Sequence, residues 1–400
     1  MSTHALIAAV GALAPLLEVS NHLTTNNQRR KPMKEFEIGD ILPAREAILL
    51  LDEADLTPPI EVPAIPAENE DGGISDTERE WLHKEIRRLK KERNALILAH
   101  NYMTKDIQDA ADFVGDSLNL AQKGRESDAD VLVECAVLFM NQILAIMKKP
   151  GQTVLAPDLG ALCSLAASAD VEKIRAWKRE HPDGIVISYV NTYIDVKAES
   201  DYCCASANAE KVLLYVLEHE KGKPILFLPD VYLGFYAAKL LEKRGVPLDL
   251  LWLMMGACHV HDRIRPHHVA EQMKFHPEAA VVVHPECGCT SACMRQMDGG
   301  SVPANMLGFR STQGMAEFIK NSPASTIIMA TEVDNAYPMS KAVPGKIIIP
   351  ASREARCAFM KQNTLRNLYL SLRDMKHEIT VDKELARRAR LPIERMLAIR

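Results

Sequence analysis

From residue 95 to residue 349 the chain runs through one pattern three times. Nine short apolar runs alternate with stretches of helical period: Ala95–Ala99, Val131–Glu134, Thr153–Ala156, Gly184–Tyr189, Ile225–Leu228, Leu250–Met254, Ala279–Val283, Thr326–Ala330 and Lys346–Ile349. Such runs have strand length, and a helix between two strands returns the chain to start the next one parallel, so the alternation predicts parallel α/β units. The runs also group in threes. The first strand of each set ends on polar residues, at His100-Asn101-Tyr102, Tyr189-Val190-Asn191 and His284-Pro285-Glu286. A hydroxyl follows where a turn should enter a helix, at Ser117, Ser206 and Thr312, separated from the strand end by 17, 17 and 28 residues. The last interval is lengthened by an insertion from Gly288 to about Asn305. The middle strand ends in an acid, Glu134, Asp230 or Glu332. The third leads to a loop cysteine, Cys163, Cys258 or Cys357, at spacings of 95 and 99 residues.

Ligands of parallel α/β sheets bind beyond the carboxyl ends of the strands. Three such ends about one pseudo-threefold axis enclose a shared cavity, and each supplies it with polar residues, a helix start and a cysteine. The expected fold is therefore α/β, with three pseudo-threefold-related parallel α/β domains over residues 76–167, 168–264 and 265–360 enclosing a central active site. Residues 361–400 are expected to form C-terminal helices that pack back on this body. Residues 1–75 read as a peripheral extension, partly flexible. Ala44–Asp55 suits one helix, and a Pro-rich acidic stretch through Pro58–Pro59, Pro63 and Pro66 to Asp71-Gly72-Gly73 reads as a linker. Ser75-Asp-Thr-Glu78 has the form of a capping box opening a helix to Arg93.

A formal net charge of −5 argues against nucleic acid as the main partner, because phosphate binding needs a basic surface. The basic run Arg387-Arg388-Ala389-Arg390 reads as a solvated helix face. No stretch has the apolar length of a membrane span. Ala5–Val19 is apolar, but it contains Pro15 and Glu18 and lacks a basic flank, so it reads as non-targeting and the protein as cytoplasmic. In that reducing compartment nine cysteines suggest metal binding or catalysis before disulfides.

Three thiolates converging from separate domains suit a [4Fe–4S] cluster with one iron left without a protein ligand, which can act as a Lewis acid in removing water. The local set Cys287-Gly-Cys289-Thr-Ser-Ala-Cys293 is compact enough to compete as a zinc, iron–sulfur or redox site, and spacing alone leaves that choice open. Helix starts attract phosphate and carboxylate, so a small, multiply anionic substrate fits the three hydroxyl positions. His100, Tyr102, Tyr189, His284 and Glu286 supply acid–base and hydrogen-bonding capacity at equivalent strand ends.

Several stretches closely resemble the A-type quinolinate synthases. They are Leu96-Ile-Leu-Ala-His-Asn-Tyr102, Ile107-Gln-Asp, Ala111-Asp-Phe-Val-Gly-Asp-Ser-Leu118, Pro157-Asp-Leu-Gly-Ala-Leu-Cys-Ser-Leu165, Tyr189-Val-Asn-Thr192, Gly256-Ala-Cys-His-Val-His261, His284-Pro-Glu-Cys287, Ser311-Thr-Gln-Gly-Met315, Thr331-Glu-Val-Asp334 and Pro392-Ile-Glu-Arg-Met396. Their order along roughly residues 80–400 makes the resemblance specific. It implies three similar α/β domains around a [4Fe–4S] cluster held by three cysteines, here Cys163, Cys258 and Cys357. It also implies condensation of iminoaspartate with dihydroxyacetone phosphate to quinolinate, with loss of phosphate and water, in NAD biosynthesis. His100, Ser117, Tyr189, Val190, Asn191, Ser206, His284, Pro285, Glu286 and Thr312 would bind substrate. Tyr102 and Glu286 would be the acid–base residues, with His261 beside them. Because iminoaspartate hydrolyses readily, a transient contact with an L-aspartate oxidase is chemically reasonable, although no surface patch in the sequence marks it.

The chain departs from the common pattern at Asn101, at Ala205-Ser-Ala-Asn208, around Cys357 and in its Cys-rich insertion. Two other readings fit the motifs: an iron–sulfur hydro-lyase acting on another small carboxylate, and a redox or metal sensor centred on Cys287, Cys289 and Cys293.

Overall fold

A computed structural model describes residues 37–51, 56–70, 73–299, 302–303 and 305–399. The apolar stretch Ala5–Val19, the end of the expected helix at Asp55 and the Asp71-Gly72 turn lie outside the described residues. All nine expected strands form, within a residue or two of their expected ends. In chain order the strands are β1 (Ile41–Pro43), β2 (Ala95–His100), β3 (Phe113–Gly115), β4 (Val131–Cys135), β5 (Thr153–Leu155), β6 (Ile185–Tyr189), β7 (Tyr202–Cys204), β8 (Ile225–Leu228), β9 (Leu251–Met254), β10 (Ala280–Val283), β11 (Leu307–Phe309), β12 (Thr326–Ala330) and β13 (Ile347–Pro350).

They make three sheets with one topology: β3-β2-β4-β5, β7-β6-β8-β9 and β11-β10-β12-β13. Every pairing within these sets of four is parallel. The central strands β4, β6, β8, β10 and β12 are buried along their whole length, which is why they read as continuous apolar runs and not as alternations. The sequence reading missed β3, β7 and β11. Each has three residues, Phe-Val-Gly, Tyr-Cys-Cys or Leu-Gly-Phe, too few to show a period. Each pairs outside the first strand of its set, at Leu98↔Phe113, Ile187↔Tyr202 and Val281↔Leu307. Each therefore delivers the following hydroxyl to the same sheet end: Ser117, Ser206 or Thr312.

Part of the extension expected to be peripheral belongs to the body. β1 adds to β9 antiparallel, with Ile41 opposite Met254 and Pro43 opposite Trp252, at the sheet edge where a proline lacking an N–H is tolerated. Gly39 leads in at φ +83°, and its N–H donates to Met255 O at 2.9 Å. Leu42, Ala44, Ala47 and Leu51 are buried behind it. Of the expected capping box, the Ser75 half is present, with Ser75 Oγ accepting from Glu78 N at 3.2 Å, while the Glu78 carboxylate accepts from Arg366.

The C-terminal helix Lys383–Ala398 lies against the helix Ile194–Ala198 and β7. Its basic run is only partly the solvated face expected. Arg387 is exposed and pairs with Glu384, but Arg388 donates to Ala198 O at 2.9 Å and Arg390 to Ile146 O at 2.7 Å. Both carbonyls lie in the last turn of a helix, where they lack intrahelical donors. Among the described residues no helix is long and apolar enough to cross a membrane.

Candidate active site

The carboxyl ends of all three sheets open on one cavity. The first sheet contributes His100, Tyr102 and Ser117 to its lining, the second Tyr189, Val190, Asn191 and Ser206, and the third His284, Glu286 and Thr312. His261 and the loop cysteines Cys163, Cys258 and Cys357 line it as well. Of the residues singled out from sequence, Pro285 is not in the lining; its carbonyl accepts from Thr290 Oγ1 at 3.1 Å. The acids that end the middle strands are also outside it. Glu134, Asp230 and Glu332 are buried and hold local structure, Asp230 by capping the helix Val231–Lys243 and Glu332 by accepting from Asp334 N and Cys357 N.

The three hydroxyls stand where helix caps usually do, yet at each position a neighbouring side chain makes the local bond to the backbone. Asp116 Oδ1 accepts from Asn119 N at 2.9 Å, so Ser117 becomes the first residue of the helix Ser117–Glu126. Asn208 Oδ1 accepts from Ala205 N at 2.8 Å and folds the turn around Ser206. Ser311 Oγ accepts from Gly314 N at 3.2 Å beside Thr312. Freed from a backbone task, the hydroxyls can face a ligand at helix starts that favour anions.

Burial sets the acid–base character of the cavity. It holds His100 and His284 down at a pKa of about 3 and His261 well below its ordinary value, so all three imidazoles are neutral at pH 7. His100 Nδ1 accepts from Tyr102 N at 3.2 Å, which places the proton of the neutral ring on Nε2. His261 stacks on His284 with ring centroids 4.8 Å apart. The Tyr102 phenol lies 3.2 Å from His261 Nε2, 3.3 Å from Thr312 Oγ1 and 2.8 Å from Thr331 Oγ1. Burial pushes Glu286 up to about 7, opposed by the hydrogen bond it accepts from the Tyr189 phenol. A carboxyl with that pKa can take or give a proton near neutrality. His284 Nδ1, 3.5 Å from Glu286 Oε1, and Asn191 Oδ1 have no hydrogen-bond partner among the described residues, so both are available to a ligand.

The sequence reading did not single out His259 and Ser164, which line the cavity directly after Cys258 and Cys163. Ser164 Oγ and His259 Nδ1 are 2.7 Å apart, which ties the two cysteine loops together. Their positions next to the loop cysteines were the available signal.

All nine cysteines are free thiols. Burial pushes Cys163 up to about 12 and Cys357 to about 11, and Cys258 well above the usual thiol range. The three also raise one another through their charges, with Cys357 acting on Cys163 and both acting on Cys258. Thiols so placed ionise when a cation takes the proton's place. Among the described residues His261, His284 and Glu286 bring three ligand atoms within 4.8 Å of one another, and the three loop cysteines form a separate, all-thiol donor set. A polynuclear cluster fits that donor set. Cys287, Cys289 and Cys293 are buried outside the cavity lining. Their thiols hydrogen-bond to one another, and Cys287 Sγ also contacts His261 Nδ1 at 3.2 Å.

Residues 84–398 match the family model described as quinolinate synthetase A protein. Curated relatives named quinolinate synthase include one from Thermus thermophilus, 44% identical over 320 residues, covering 80% of this chain and 98% of the relative. One from Pyrobaculum aerophilum is 42% identical over 315 residues, covering 79% and 98%. One from Mycobacterium tuberculosis is 38% identical over 328 residues, covering 82% and 91%.

Proposed function

The chain belongs to the quinolinate synthase family and is an enzyme of NAD biosynthesis, and on that premise we propose that it condenses iminoaspartate with dihydroxyacetone phosphate to quinolinate, releasing phosphate and water. The observation that carries this reading is the meeting, in one cavity, of three cysteine loops and three hydroxyls whose neighbours make the local backbone bonds. A [4Fe–4S] cluster held by Cys163, Cys258 and Cys357 supplies, when bound, a Lewis-acidic iron without a protein ligand.

The protein's own groups do the rest. Ser117, Ser206 and Thr312 hold the carboxylates and phosphate by hydrogen bonds, helped by the free N–H groups of the helix starting at Ser117. Neutral His100 and His284 orient the substrate without adding charge. Glu286 takes protons during isomerisation and ring closure, and the Tyr189 phenol stabilises its ionised form. Tyr102, tied to His261 and Thr331, returns a proton to the leaving oxygen. Iminoaspartate hydrolyses readily, so it must come from an enzyme that oxidises aspartate, by transient contact. Cytoplasmic residence goes with this reading, since free thiols and an oxygen-sensitive cluster need reducing surroundings.

The test is an anaerobic reaction of cluster-reconstituted protein with freshly generated iminoaspartate and dihydroxyacetone phosphate, followed by mass spectrometry. Quinolinate is the expected product, and its absence from protein with full iron content contradicts the reading.

A further inference from the structure

Lys361 is fully buried four residues beyond Cys357, and neither it nor its partner Glu332 lines the cavity. Its ammonium has three donors, and three acceptors take them: Tyr102 O at 2.5 Å, Glu332 Oε1 at 2.6 Å and Asp334 Oδ2 at 2.6 Å. The same Glu332 oxygen accepts from Cys357 N at 3.1 Å. A buried ion pair is weak as a stabilising device, because desolvation offsets the attraction and an apolar pair of similar volume often serves the fold equally well. Fixed geometry is what such a pair supplies instead.

Three separate segments meet at this ammonium. Tyr102 follows the end of β2 in the first sheet, Glu332 and Asp334 follow β12 in the third, and Lys361 belongs to the turn after the Cys357 loop. Gln108 Nε2 reinforces the joint, donating to Asn101 O at 3.1 Å, Met103 O at 2.7 Å and Asp334 O at 3.4 Å. Tyr102 is thereby gripped at both ends by consecutive residues. Its phenol meets Thr331 Oγ1 at 2.8 Å, and its carbonyl reaches Glu332 through Lys361.

We propose that Lys361 and Glu332 are a positioning pair that fixes the Cys357 loop relative to the Tyr102 phenol, so that the metal centre and the proton donor keep one separation through turnover. The proposal rests on the reading of this cavity as the quinolinate-forming site with Cys357 as a ligand. Lys361→Met alone strands a buried carboxylate and can fail to fold. The informative variant is Lys361→Met with Glu332→Gln, which removes both fully buried charges at nearly constant volume and leaves the partly exposed Asp334 to solvent.

In the anaerobic, iron-loaded enzyme, that double variant is expected to melt within a few degrees of wild type and to bind wild-type amounts of iron. Its kcat should fall at least tenfold with KM changed less than threefold, and the electron paramagnetic resonance signal of the reduced cluster should shift. A double variant with wild-type kcat and an unchanged signal overturns the proposal. So does one that does not fold, because the pair then holds the body and not the site. Failure of the functional reading looks different, since wild-type protein itself then makes no quinolinate while the spectroscopic comparison still stands.

Discussion

The phenol of Tyr189, at the end of a strand in the second sheet, donates to the carboxylate of Glu286, beyond the end of a strand in the third. Burial raises Glu286 to about 7 and this hydrogen bond opposes the rise, so activity that needs the ionised carboxylate should climb through about pH 7. Tyr189→Phe removes the opposing donor, and the acidic limb of the kcat profile should move to higher pH. Glu286→Gln should abolish turnover while keeping the iron. Its effect on stability has a definite sign. The folded pKa lies above the unfolded value, so this carboxyl's favourable contribution is full below about pH 4.5 and is lost as pH rises to about 7. At pH 8 the glutamine variant should therefore be more stable than wild type, on the order of 1–3 kcal/mol by denaturant titration.

On the proposed function, Ser117 binds substrate while the adjacent Asp116 caps the helix. Asp116 makes the cap bond, so Asp116→Ala should cost about 1 kcal/mol of stability. Ser117→Ala should leave the melting temperature within a degree or two and raise KM for the phosphate-bearing substrate about tenfold or more. Thermal melts and initial-rate kinetics on the two variants check the split.

Asn208 links the Ser206 turn to the end of the chain. Its Nδ2 donates to Met396 O at 3.3 Å and Ile399 O at 3.1 Å while its Oδ1 holds Ala205 N. Asn208→Ala should cost about 1–3 kcal/mol, because buried carbonyls lose their donor. Asn208→Ala should also raise KM by loosening the turn that carries Ser206, and deleting the last five residues, which removes both carbonyls, should reproduce much of that rise.

Gly39 gives a contrasting expectation. A Cβ there would sit 2.7 Å from Ser168 O, and the backbone is at φ +83°. Gly39→Ala should lower the denaturant midpoint by the equivalent of about 1–2 kcal/mol and leave KM unchanged, since this residue supports only the outer edge of the second sheet.

The triplicate reading reached nine of the strands and the cavity they face because burial on both faces writes itself as unbroken apolar runs. β5 is as short as β3, β7 and β11, but its aliphatic run continues to Ala156; the other three have no such run and appeared only through the hydroxyls that follow them. β1 was hidden because an edge strand carrying proline looks like linker. At the site, a hydroxyl before a helix reads as its cap. That Asp116, Asn208 and Ser311 make the backbone bonds instead depends on side-chain direction, which spacing does not encode. Lys361 was silent for a related reason: a lysine in a polar stretch looks solvated until the acids that bury it arrive from another sheet.

If the three loop cysteines, and not the local trio, build the proposed centre, cysteine replacement separates the two sets. Iron content and the visible absorption of anaerobically reconstituted protein should be measured for serine replacements at Cys163, Cys258 and Cys357 and, in parallel, at Cys289 and Cys293. Each of the first three is expected to lose the cluster and make no quinolinate, while the other two retain wild-type iron. Loss of iron from the Cys289 and Cys293 variants, with the loop variants still loaded, would contradict that assignment.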